Sequence, residues 1–316
     1  MLHVLEMKKY CLSSLFVFVF LLSVSFSARA SGGQVITKEL RQWAREAVKE
    51  EKALQALQGR NTAAVLYFTN KTGRPELDPV QKGMALMLIT DLSTIEGIQV
   101  VERARIQALA DETGLAVSGL VDLETAPRVG RLLGARWLVG GDILEKEKGG
   151  PLGIESNLID VPAAEMLGGA AAGGSLDELF RMEKDILFRI VELLKIELTP
   201  GRRAALKKPC STSSTALLAF FRGIDASDRG DYEEAARLYE NALKDDLDIC
   251  MAGDALRELK TLGLVAAAKR SSRLLQSLRD STSLTDRLTP ESPVKGAGGP
   301  EDTPVPVGID ITFPEQ

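Results

Sequence analysis

Side chains that commonly do catalysis are scarce in this chain of 316 residues. It has one histidine, His3, and nothing after it supplies an imidazole for acid–base work, a nucleophilic triad or zinc. Asn70, Lys71 and Arg74 are the best candidates for binding. They follow an apolar run at residues 63–68, and the carboxyl end of a strand is where open α/β sheets take ligands. They form a candidate anion-binding loop, with a solvated loop as the simpler reading. Asn70-Lys71-Thr72 also matches a glycosylation sequon, which reads as coincidence. Asp142, Glu145 and Glu147 are hard-cation ligands by type, but alternation along a strand scatters them. Gly168-Gly169 and Gly173-Gly174 lack the Lys-Ser/Thr of a phosphate-binding loop. Glu183 and Asp185 read as the outer face of a helix. The expectation is no catalytic residue, cofactor or metal, and no enzyme, although carboxylate-only chemistry stays open.

Cysteine points to structure. Cys11 precedes an apolar run, whereas Cys210 and Cys250 flank a helical hairpin whose ends must meet. They are expected to form a disulfide in an oxidising compartment, two free buried thiols being the alternative. Net charge is −5, and Lys8, Lys9 and Arg29 against Glu6 make the chain beyond the first thirty residues more acidic still. Without a basic cluster of size, nucleic acid is not an expected partner.

The positioning elements follow from periodicity. Residues 63–68, 98–101 and 137–144 are strand-like, separated by amphipathic helical patterns. Strands that alternate with helices imply crossovers and parallel pairing. Paired glycines at Gly140 and Gly141 predict a bulge or close backbone approach. Residues 154–161 and 165–170 are further strands, joined by connections short enough to force antiparallel pairing. Helices are expected at residues 37–57, 79–95, 104–111 and 123–133. Thr37 and Asp78 are read as caps, and Pro127 requires the last to begin near Thr125. Val80, Met84, Leu88, Leu92 and Ile95 form one stripe facing the sheet. Ser175-Leu176-Asp177-Glu178 is a capping box for the best amphipathic helix. The fold class is α/β: a mixed five-stranded sheet packed by helices, followed by a small all-α repeat-like extension.

That extension begins with a short connector helix at Thr199 and Pro200 carrying Arg202, Arg203, Lys207 and Lys208. In residues 216–246, Gly223, Tyr232, Ala235, Tyr239 and Ala242 have tetratricopeptide spacing, with small residues where helices touch. One repeat cannot bury its own face, so residues 254–278 are expected as a cap. Phe220, Arg222 and Tyr232 are candidate partner-binding residues.

The two ends read differently. Lys8 and Lys9, the apolar run at residues 15–26 and Ala28-Arg29-Ala30 predict a signal peptide over residues 1–30, cleaved between Ala30 and Ser31. The apolar run is too short to span a bilayer. An exported protein with no transmembrane segment after cleavage is expected. Residues 281–304 are rich in Ser, Thr, Pro and Gly without periodicity. Beyond them Val305, Val307, Ile309, Ile311 and Phe313 alternate as in a strand. This strand is expected either to add to a free sheet edge, its own or another chain's, or to be a disordered terminus. The organisation is therefore 1–30 signal peptide, 31–60 amino-terminal helix, 61–198 α/β domain, 199–278 helical extension and 279–316 flexible tail with a terminal strand.

One family shares this order of segments. Ala64-Val65-Leu66-Tyr67-Phe68-Thr69-Asn70, Glu76-Leu77-Asp78 with Gly83, Ile98-Gln99-Val100-Val101-Glu102-Arg103, and Leu132-Leu133-Gly134-Ala135-Arg136-Trp137-Leu138-Val139-Gly140-Gly141 resemble the curli production assembly/transport (CsgG/HfaB) family. FlgO-type and LpoB-type proteins and the TolB amino-terminal domain have a similar fold. The resemblance covers residues 62–198. It implies a bacterial envelope location, here the periplasm, and a non-enzymatic role in secretion, assembly or activation of a partner protein, with homo-oligomerisation possible. An outer-membrane secretion channel subunit is the alternative. Against it, residues 145–153 leave no room for a spanning hairpin.

Overall fold

A computed structural model describes residues 33–50, 61–114, 123–145, 147, 149–249 and 251–265. The signal peptide and its Ala30–Ser31 cleavage, Cys250, the tail and the terminal strand with Ile309, Ile311 and Phe313 lie outside the described residues. The chain divides into two units, residues 1–266 and 267–316, and every described residue belongs to the first.

Strand β1, Thr62–Asn70, is buried from Thr62 to Phe68. It pairs in parallel with β2, Gln99–Val100, and with β3, Trp137–Glu145. Strands β4, Leu152–Asp160, and β5, Glu165–Gly174, continue the sheet antiparallel, giving the order β2-β1-β3-β4-β5. The mixed sheet is thus as the connection lengths require. β5 runs longer than its apolar core suggests, because its Gly- and Ala-rich end still meets β4. The glycine pair marks a close approach: a Cβ on Gly141 would lie 2.2 Å from the Phe68 ring and 2.4 Å from the Glu155 carbonyl oxygen. The β1–β3 register shifts nearby, between Val65 and Phe68.

Helix α1, Lys38–Lys49, is capped by Thr37, whose Oγ1 accepts from the Leu40 N–H. Helix α2, Asp78–Leu92, differs from expectation in two ways. Its cap is Leu77, because a 3-10 turn, Pro75–Leu77, runs straight into it, and Asp78 instead accepts from Asn70 Nδ2 at 2.8 Å. It is also buried on nearly all sides rather than along one stripe, from Pro79 and Val80 through Gly83, Ala85, Met87 and Ile89. Helices cover the face that turns away from β1. Helix α3, Arg103–Thr113, ends at Gly114, and α4, Ala126–Leu133, admits Pro127 in its first turn.

The capping box of Ser175 and Glu178 forms, opening a 3-10 turn that leads into α5, Leu179–Leu193. Helix α5 lies on β4 and β5 and touches α2. Then come α6, Pro200–Leu206, α7, Ser214–Asp228, α8, Tyr232–Asp245, and α9, Ala252–Thr261. Gly223 gives α7 and α8 their closeness: a Cβ there would stand 2.4 Å from the Tyr239 ring. The hairpin's missing neighbours are α9 on one side and α2 on the other. At the α2 contact a Cβ on Gly83 would lie 2.3 Å from the Phe221 ring. One hydrophobic core therefore runs from Val65 and Leu88 to Phe220 and Leu259.

Candidate functional site

The loop after β1 is built on its own side chains. Asn70 Oδ1 accepts from the Thr72 N–H at 3.0 Å, and Asn70 Nδ2 donates to the Arg74 carbonyl at 2.8 Å. The amide is consumed in shaping the turn. Lys71 Nζ reaches buried Asp142 Oδ2 at 2.5 Å, and Arg74 pairs with Glu76 at 2.8 Å and Glu145 at 3.2 Å. This corrects the anion-site expectation, since each cation already faces a carboxylate. It also corrects the scattering of Asp142 and Glu145, which are drawn to one loop by its two cations. The Arg74 guanidinium is held above its usual range, first by hydrogen bonding to Glu76 and Glu145.

The more consequential constellation centres on Arg103. It begins α3 directly after β2, and its side chain is 0% exposed. Its two terminal nitrogens each lie 3.0 Å from an oxygen of Asp228, the last residue of α7. Nε donates to Gln34 Oε1 at 2.9 Å, and one terminal nitrogen donates to the Tyr67 hydroxyl on β1 at 3.2 Å. Lys82 of α2 joins from the side, 2.7 Å from Asp228 and 3.0 Å from Asp225. Glu258 of α9 accepts from the N–H groups of Gln34 and Val35 at 2.7 and 3.2 Å. One guanidinium thus ties the sheet, the N-terminal strap and the helical hairpin. Burial opposes its charge, yet Tyr67 and Asp228 outweigh that and its pKa is raised. Burial, reinforced by Asp228, pushes the Tyr67 hydroxyl up to about 12. A cleft of about 490 Å³ opens above the joint between α2 and α9, lined by Gln34, Ile89, Arg103, Met251 and Glu258.

Glu183 requires a further correction. It lies inside α5's apolar face and is 0% exposed, whereas Asp185 does point outward and pairs with Arg181. Lys184 Nζ stands 3.1 Å from Glu183 and also pairs with Asp91 of α2. Burial first, then the charge of Asp91, pushes the Glu183 carboxyl up to about 8, against the pull of Lys184. A smaller cleft of about 200 Å³ adjoins this group, lined by Met87, Asp91, Lys184, Lys208 and Met251.

On the hairpin, Phe220 is fully buried between the Phe221 and Tyr239 rings, with centroids 5.9 and 5.6 Å away. It fills the core and cannot form part of an exposed surface. Tyr232 is half-buried against that core, and Arg222 is exposed. Cys210 is disulfide-bonded.

In the sequence Arg103 stands out only within the family-like segment, and Glu183 reads as the outer face of a helix although it is buried. A signal was present for both. Arg103 keeps helical spacing with buried Ile106, and Glu183 sits among Leu179, Met182, Ile186 and Leu187. A charge within such a stripe demands a partner.

The segment holding β1, α2, the Arg103 joint and β3 is also the one with recognisable relatives. Residues 44–149 match the family of curli production assembly/transport component CsgG. The CsgG-like segment ends in the connection after β3. Putative adenylate cyclase 3 of Rhizobium meliloti (strain 1021) is 27% identical over 145 residues, 46% of this chain, and the match spans 23% of that protein's length. Solved structures similar to the chain include the LpoB C-terminal domain from Salmonella enterica (15% identity, TM-score 0.31, 43% of this chain and 95% of that one). Lipoprotein GNA1162 from Neisseria meningitidis (16%, 0.32, 44% and 99%) and TolB from Acinetobacter baumannii (14%, 0.30, 44% and 29%) are others. Among the described residues no helix is long and apolar enough to cross a membrane.

Proposed function

We propose that this protein is an exported, non-enzymatic component of the bacterial cell envelope that binds other envelope proteins during assembly or transport. The observation that carries the envelope reading is the CsgG match over residues 44–149. The non-enzymatic reading is supported by how the strand-end charges are spent. Lys71 neutralises Asp142 and Arg74 neutralises Glu145, leaving the crest of the sheet as a set of closed ion pairs. The exposed part of the hairpin, with Arg222, is the surface we assign to partners.

Fractionation of the native host followed by cross-linking and mass spectrometry tests this. The expected result is release without detergent and a reproducible set of envelope proteins, with fewer captured by Arg222→Glu. Recovery as a detergent-requiring ring in the outer membrane would favour a secretion channel and sink the proposal. So would turnover of a small molecule by the purified chain.

A further inference from the structure

Four cations crowd into residues 202–208 with no acid beside them in sequence. Arg202, Arg203, Lys207 and Lys208 stand on α6 and the turn after it, and no Asp or Glu occurs in sequence between Glu197 and Asp225. Arg203, Lys207 and Lys208 are exposed and Arg202 is half-buried. Among the described residues no carboxylate pairs with any of the four. Asp91, which lines the same cleft as Lys208, is engaged by Lys184.

The local fold fixes how this charge is presented. Leu206 is buried and anchors α6 to the core, while the Arg203 guanidinium lies over the Phe188 ring of α5, 5.1 Å from its centroid. Arg203 and Lys207 are four residues apart and share one side of the helical turn. Between the cations the exposed residues are Ala204 and Ala205. Arg202, Arg203 and Lys207 line neither the cleft above Arg103 nor the one beside Glu183, whereas Lys208 lines the latter. Arg203 and Lys207 form an exposed face of charge outside both clefts. It suits a broad array of mobile anions, to which each cation adds separately, about fivefold in affinity per basic residue near a membrane surface.

We infer that residues 202–208 form an electrostatic docking face for the anionic headgroups of a phospholipid bilayer. This goes beyond the protein-partner reading, and either can fail while the other stands.

The test is sedimentation of the full chain with vesicles of phosphatidylcholine alone and with added phosphatidylglycerol, at low and high salt. The readout is the difference between the two vesicle types, so apolar segments elsewhere cancel. The docking face predicts partition about tenfold or more stronger on the anionic vesicles, lost at high salt. Arg203→Glu with Lys207→Glu should abolish the preference. Arg203→Lys with Lys207→Arg should retain it, and thermal melts check that both variants fold. Equal partition onto both vesicle types, or a preference that survives charge reversal, overturns the inference. Equally tight binding to soluble polyglutamate also overturns it, indicating an acidic protein partner instead.

Discussion

At Arg103 a guanidinium without access to water depends wholly on Asp228, Gln34 and Tyr67 for its charge. Removing one member of such a pair strands the other, which costs about 3–5 kcal/mol. Arg103→Met should lose stability of that order in chemical denaturation, at the lower end because Lys82 still meets Asp228. Arg103→Lys keeps the charge but not the two-pronged geometry, so an intermediate loss is expected. Glu183 makes a different prediction. Its folded pKa of about 8 exceeds the ordinary carboxylate value, so the folded state holds a proton that the unfolded chain releases. Its contribution to stability is complete below the unfolded pKa, near 4.5, and is lost as pH rises through about 8. Glu183→Gln should flatten that decline and melt higher than wild type at pH 8 and above. A steeper fall in the variant would refute the assignment.

Between elements, two glycines decide how closely the helices approach. In an isolated helix Gly→Ala stabilises by up to about 1 kcal/mol. At Gly83 the new Cβ would enter the Phe221 ring, and crowding of this kind costs about 1–3 kcal/mol. Gly83→Ala should therefore lower the melting temperature. Gly201→Ala on α6, where nothing lies within 4 Å, should leave it unchanged or slightly raised. The disulfide at Cys210 acts on the same region. Alkylation of unreduced protein should leave Cys210 unmodified, and reduction should lower stability by about 2–4 kcal/mol. Free reactivity of Cys210 before reduction would contradict this.

Across the whole described body, sheet and hairpin share one core, so they should unfold together. Fluorescence and circular dichroism melts are expected to coincide. A chain ended at Leu198 would bare α2 around Gly83, Leu86 and Met87, and should be molten or aggregated. A stable, soluble fragment would show that the helices are an accessory.

Local chemistry made much of this legible beforehand. Short apolar runs marked the buried strands, connection lengths made the sheet mixed, and Thr37, Ser175 and Thr199 announced helix starts through side-chain oxygens facing bare N–H groups. The spacing of Gly223 and Tyr239 likewise foretold a tight hairpin. What local pattern cannot express is which face meets which. Phe220 read as exposed because one hairpin alone has no inside; α2 and α9 give it one. Glu183 read as exposed because a carboxylate ordinarily favours water; only the fold buries it and draws its neighbour Lys184 to Asp91 of α2, so that the carboxyl keeps its proton. Residue types and spacings determined the elements and their order. Distant contacts decided which ionisable groups were buried, because such a group enters a core only where a partner from elsewhere in the chain can reach it, as Asp228 reaches Arg103, or where it can stay neutral, as Glu183 does.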